Sequence, residues 1–164
     1  MVPNFASRFA LAIVSLAISH FVSGRSFQVV AYNVENLFDT DGVSLYDDYK
    51  PEFYGPKELQ NKLNSIVRSL RLIGGSTGPE VVLLQEIEVD RTPREFPSAT
   101  ELLLNALKKN GLGPYQVAQG YDPKDSPGNW PSVQCVTLSK FPISSTRLHP
   151  CLLYTSDAAD DRLS

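Results

Sequence analysis

Residues 81–90, VVLLQEIEVD, begin as a run of four consecutive apolar residues and end on three acids, Glu86, Glu88 and Asp90. The apolar positions are adjacent and do not recur at helical spacing. The run predicts a short strand over 80–85, covered on both faces. A second run of β-branched and aromatic residues, FQVVAY at 27–32, predicts another strand that leads into Asn33-Val34-Glu35-Asn36. Between them Leu59, Leu63, Ile66, Val67, Leu70 and Ile73 fall on one stripe of a helix over 57–73. Gly74-Gly75 supplies its stop. A strand-helix-strand order implies that the two strands are parallel neighbours. Asn33 and Glu86, each just past a strand, then share the carboxyl edge of the sheet, where open α/β sheets place ligands. An amide and a carboxylate at that edge offer oxygen atoms to a hard cation.

Further along, Ser98-Ala99-Thr100-Glu101 has the pattern of a capping box. It opens a second helix carrying Leu102, Leu103, Ala106 and Leu107, ending on Lys108, Lys109 and Gly111. Strands are expected at 115–118 and 133–138, with a Pro-rich loop containing Trp130 between them. A fifth strand is expected around 144–148. The fold class is α/β (α+β), a layered sandwich. Later strands either extend the first sheet or build a second, and more chain is needed to complete the architecture.

With 42% hydrophobic and 20% charged residues, the chain of 164 reads as globular and not as disordered. A net charge of −3 gives no general attraction to nucleic acid or anionic lipid, although local cations or a bound metal could still hold phosphates. Cys135 and Cys151 form neither a zinc spacing nor a disulfide framework. Residues 1–24 have the layout of a secretory signal peptide: Arg8, an apolar stretch from Phe9 to about Val22, then Ser23-Gly24. The stretch is short for a membrane span, which takes about 20 residues. The expected location is therefore secreted or periplasmic, with no stable membrane partner. Residues 151–164, CLLYTSDAADDRLS, continue no earlier periodicity and are similar to translated sequencing-adapter DNA. The domain is accordingly expected over 25–150, with a non-native tail after it.

FQVVAYNVENLFDT, then a helix, then EVVLLQEIE, with VTLSKFPI later, resembles the endonuclease/exonuclease/phosphatase superfamily, whose members include DNase I-like nucleases. The resemblance spans Phe27 to His149, and its most specific feature is the pair of strand-end motifs a helix apart. It implies a DNase I-like fold and metal-assisted hydrolysis of phosphodiester bonds. Glu86 then matches the principal carboxylate ligand of a catalytic Mg²⁺, with Mn²⁺ or Ca²⁺ as substitutes. Asn33 matches the asparagine that helps position metal and scissile phosphate. Glu35 matches an acid found near the metal in some members. Ser139 to Ile143 match a packing turn. The implied partner is nucleic acid or another phosphodiester substrate. A strand-borne His, an Asp-x-Asn motif and a closing Asp-His pair, also implied, are not found in this chain, so it is expected to be inactive as it stands. His149 follows 139–143 too closely to be that histidine and reads as a surface residue. His20 falls in the leader. The alternatives are a non-catalytic secreted binding domain on the same scaffold and a lipid or inositol phosphate phosphatase.

Several residues have plainer readings. Asp39 to Gly42, with Asp47 and Asp48, lack the full calcium-loop register and read as a solvated acidic loop. Tyr46, Tyr49, Phe53 and Tyr54 read as pins for that loop, with base stacking as the alternative. Lys57, Lys62, Arg68 and Arg71 read as a solvated helix face. Trp130 reads as buried against the sheet edge, and Cys135 as a small core residue.

Overall fold

Leucine, isoleucine and valine at steps of three and four decide the first packed layer. The structure is a computed structural model that describes residues 27–92, 96–121 and 130–147. The leader 1–24, His20, His149 and the tail 151–164 lie outside the described residues. Helix α1 spans Pro56–Gly74 and buries Leu59, Leu63, Ile66, Val67 and Leu70. Ile73, assigned to the same stripe, is instead exposed. It sits in the last turn, where the chain leaves the sheet. Pro56 occupies the first turn, where its missing N–H costs nothing. Gly75 ends the helix at φ +70, a left-handed conformation that glycine adopts without strain.

Strands β1 (Val29–Leu37), β2 (Val81–Glu88), β3 (Gln116–Gln119) and β4 (Val133–Ser139) form one sheet in the order β1-β2-β4-β3. β1 and β2 pair in parallel, and the other two pairings are antiparallel. Helix α2, Ala99–Lys109, is capped as its sequence requires. Ser98 Oγ accepts from the Glu101 N–H at 3.2 Å, and Glu101 Oε2 accepts from the Ser98 N–H at 3.0 Å. The fold is thus a mixed α+β layer of a four-stranded sheet and two helices.

The core lies between the helices and one sheet face. Val82, Leu84, Val136 and Leu138 point into it and meet Leu63, Ile66, Leu70, Leu103 and Leu107. Truncating one such residue, for example Leu84→Ala, costs about 2–5 kcal/mol.

The structure departs from expectation at several places. The second strand is not covered on both faces. Leu83 is 40% exposed and Val29 55%, because α1 and α2 take the same side of the sheet. Cys135 is exposed on the open side and is not a core residue. Residues 142–147 form no strand. Neither β1 nor β2 stops where its apolar run stops, so Asn33 and Glu86 lie inside the strands. No helix among the described residues is long and apolar enough to cross a membrane.

Candidate functional site

The β1–β2 ladder runs regularly to the pair Asn33–Gln85, and the next pair is Leu37–Ile87. Residues 34–36 of β1 therefore face Glu86 alone. On the other side the β2–β4 ladder steps from Leu84–Val136 to Ile87–Gln134, so Gln85 and Glu86 together face Cys135. Glu86 belongs to both irregularities. Extra residues of this kind bend a strand and re-aim its side chains.

The backbone carries the mark of that bend. Glu35 (φ 54), Asn36 (φ 65) and Glu86 (φ 63) are the only non-glycine residues with positive φ among the described residues. Left-handed backbone costs an L-residue about 1–2 kcal/mol, least for asparagine. Three such residues meet at one spot, held there by the packed strands on either side. Strain of this sort concentrates at functional sites.

The bend joins the two residues singled out in the sequence. Asn33 Nδ2 donates to Glu86 Oε1 at 2.7 Å, and Asn33 Oδ1 accepts the Glu35 N–H at 2.7 Å. These two contacts fix which way the amide points. Reversed, it would set nitrogen against an N–H donor and oxygen against a carboxylate. Asn33 therefore serves Glu86 as a hydrogen-bond donor and keeps its own oxygen on the backbone. Glu35 is exposed, and its carbonyl accepts from Lys62 Nζ at 2.8 Å and from the Tyr49 hydroxyl at 3.5 Å. Lys62 is thus not a free member of a solvated face. Arg71 likewise donates to the Asn110 carbonyl, whereas Lys57 and Arg68 are exposed as expected.

At the bulge residue Asn36 opens a cleft of about 440 Å³, lined also by Tyr49, Tyr54, Glu58, Asn61 and Lys62 among others, and not by Asn33 or Glu86. Tyr49 stacks on Phe38 with ring centroids 4.3 Å apart, and Tyr54 packs on Tyr49 at 4.9 Å. Burial raises the pKa of the Tyr49 hydroxyl, which keeps it a donor. Tyr46 also touches this group, but Phe53 stays exposed and pins nothing.

Two residues beyond Glu86 a second group of acids gathers. Asp39, Asp41 and Asp90 bring carboxylate oxygens within 4.8 Å of one another and could hold a metal ion. Glu88 Oε2 accepts the Asp39 N–H at 2.8 Å. Asp39 Oδ1 accepts the Asp41 N–H at 3.0 Å, Asp90 Oδ1 accepts the Thr92 N–H at 2.8 Å, and the Thr92 hydroxyl donates to Asp41. The reading of Asp39 as part of a solvated loop is corrected here: it is 6% exposed, and Glu88 is 7% exposed. Burial pushes the Asp39 carboxyl up to about 7 and the Glu88 carboxyl up to about 8. Burial also raises Asp90. The ion pairs among the described residues, Lys50–Asp47 and Lys140–Glu80, lie elsewhere.

Hard divalent cations take oxygen ligands, so both groups fit one by donor type. The Asn33–Glu86 pair provides a single carboxylate, and the second group provides several. Sequence reasoning missed Lys62, Glu88 and Asp90. The sequence carried no signal for Glu88: the register shift between Leu84 and Ile87 gives the core face to Ile87, so the period-two face of Val82 and Leu84 does not continue to it. Trp130 packs on Tyr121 with ring centroids 5.3 Å apart and is half-buried. No protein-family model, no curated protein and no solved structure matches the chain.

Proposed function

We propose that the chain is the metal-holding part of a secreted, Mg²⁺-dependent phosphoesterase with a DNase I-like fold, acting on phosphodiester bonds of nucleic acid. The observation that carries this reading is the 2.7 Å bond between Asn33 and Glu86, made where two strands are bent by left-handed residues. Strained backbone is costly, and packing alone gives no reason to aim an amide at a half-exposed carboxylate. The motif resemblance over Phe27–His149 and the leader-like segment 1–24 support the reaction class and the location. Mg²⁺ is favoured because it needs only one or two carboxylates, leaving places for water and substrate phosphate. When bound, it polarises the phosphoryl oxygen and stabilises charge on the leaving oxygen. Glu86 holds the ion, and Asn33 keeps the carboxylate oriented. The adjoining cleft receives the part of the substrate next to the reacting phosphate.

The test is calorimetric titration of Mg²⁺ and Mn²⁺ into the full chain and into Glu86→Ala. Binding that disappears in the variant supports the reading. Equal binding in both contradicts it. In parallel, plasmid DNA and a generic phosphodiester are assayed with Mg²⁺. The strand-borne histidine, Asp-x-Asn motif and Asp-His pair implied for activating water find no match in Phe27–His149, so turnover no higher than that of Glu86→Ala is expected.

A further inference from the structure

The bond between Asn33 and Glu86 is the end of a longer chain of contacts that begins on α1. Lys62 Nζ donates to the Glu35 carbonyl at 2.8 Å. The same residue's N–H donates to Asn33 Oδ1 at 2.7 Å, and Asn33 Nδ2 donates to Glu86 Oε1 at 2.7 Å. Each link uses one donor and one acceptor, all pointing the same way. Glu35 is the middle link, and its backbone is held at φ 54, which a glutamate does not adopt unaided. Tyr49 touches the same carbonyl more weakly, at 3.5 Å. Lys62 is half-buried, and its stem lies along the cleft wall, so its ammonium is committed to this contact.

We propose that Lys62 is a positioning residue for the Asn33–Glu86 pair: by gripping the Glu35 carbonyl it holds the bulge that aims the Asn33 amide at the carboxylate. This rests on the reading of Glu86 as the ligand of a divalent cation. Residues that orient a metal ligand through a hydrogen bond commonly change affinity by about 10–100-fold when removed. The sign of the effect separates positioning from simple charge. A lysine near a cation site repels the cation, so deleting its charge alone would tighten binding. Loss of positioning weakens it.

The experiment compares four forms of the full chain: wild type, Lys62→Met, Lys62→Arg and Lys57→Met. Lys57 is exposed on the same helix and serves as the charge control. Mn²⁺ affinity is read by electron paramagnetic resonance of the free ion. The Asn33 side-chain amide is followed by ¹⁵N nuclear magnetic resonance without metal. Expected are about tenfold weaker Mn²⁺ binding in Lys62→Met and recovery to within about threefold in Lys62→Arg. Little change is expected in Lys57→Met. The Asn33 amide signal should move in Lys62→Met and return in Lys62→Arg. If Lys62→Met does not fold, Lys62→Gln, whose side chain is too short to make the contact, replaces it. Unchanged or tighter Mn²⁺ binding with an unmoved Asn33 signal overturns the proposal. Should the wild type bind Mn²⁺ no better than Glu86→Ala, the phosphoesterase reading fails. The Asn33 signal alone then decides whether Lys62 holds the bulge, a moved signal supporting it and an unmoved one overturning it.

Discussion

Glu86 and Glu88 stand two residues apart on the same strand and have opposite surroundings. Glu86 sits at the bend, half-exposed, with one side-chain amide on one oxygen. Glu88 is buried beside Asp39 and within the influence of Asp41 and Asp90, and burial raises its pKa to about 8. The register shift between Leu84 and Ile87 gives the core face to Ile87, so neither carboxylate continues the face of Val82 and Leu84. In a regular strand both carboxylates would face the core, where unpaired charge is costly. The bulge hands that face to Ile87 and leaves Glu86 half-exposed, while Glu88 is buried beside Asp39 and its neighbouring acids. One region is thus arranged to present a carboxylate, and the other to keep carboxylates protonated or to bind a cation in place of the protons.

The contrast can be broken most strongly at Glu86. Glu86→Ala is expected to weaken Mn²⁺ binding by about 100-fold or more, with little change in Tm. Similar affinity in the two proteins, by calorimetry, would move the cation site elsewhere. Next in size is Glu88→Ala, which leaves the buried Asp39 N–H without its acceptor. This is expected to cost about 1–3 kcal/mol, read by urea unfolding at pH 5. Glu88→Gln keeps an acceptor oxygen and should be near neutral there.

The pH dependence sharpens the same point. Asp39 and Glu88 have folded pKa values raised above those of the unfolded chain, to about 7 and about 8. The folded state therefore keeps protons that the unfolded chain releases. Their contribution to stability is largest below about pH 4 and declines as pH rises to about 8. Unfolding free energy measured across this window should fall with pH, and the fall should be shallower in Glu88→Gln. A flat profile in the wild type would show that these acids are not buried together. The smallest effect expected is at the bend. Glu35→Gly relieves left-handed backbone but adds chain entropy, for a net gain of about 0.5 kcal/mol. A loss of stability in thermal unfolding would show that the side chain of Glu35 does more than occupy the bend.

Much of the layer was legible. The stripe from Leu59 to Leu70, the Ser98–Glu101 cap and the turn at Gly75 are local, and local spacing dictates them. The meeting of Asn33 and Glu86 also follows from a strand-helix-strand order. What local pattern does not carry is the side of the sheet that stays open. Cys135 and Leu83 lie in apolar strands, yet both helices pack on the opposite face. The bulges are equally silent, since glutamates at 35 and 86 give no sign of positive φ as a glycine would. Burial of Asp39 and Glu88 depends on loops that close from distant parts of the chain. The grip of Lys62 on the Glu35 carbonyl depends on how α1 docks against β1.

The claim at the centre is that a divalent cation sits on Glu86, oriented by Asn33, and not among the buried acids. Paramagnetic broadening by substoichiometric Mn²⁺ at pH 7 addresses it directly. Signals from the Asn33 side chain and the Gln85 and Glu86 amides should broaden first, with those of Asp41 and Thr92 following only at higher Mn²⁺. Early broadening of Asp41 and Thr92 with a sharp Asn33 signal would contradict the account and place the ion in the acid cluster.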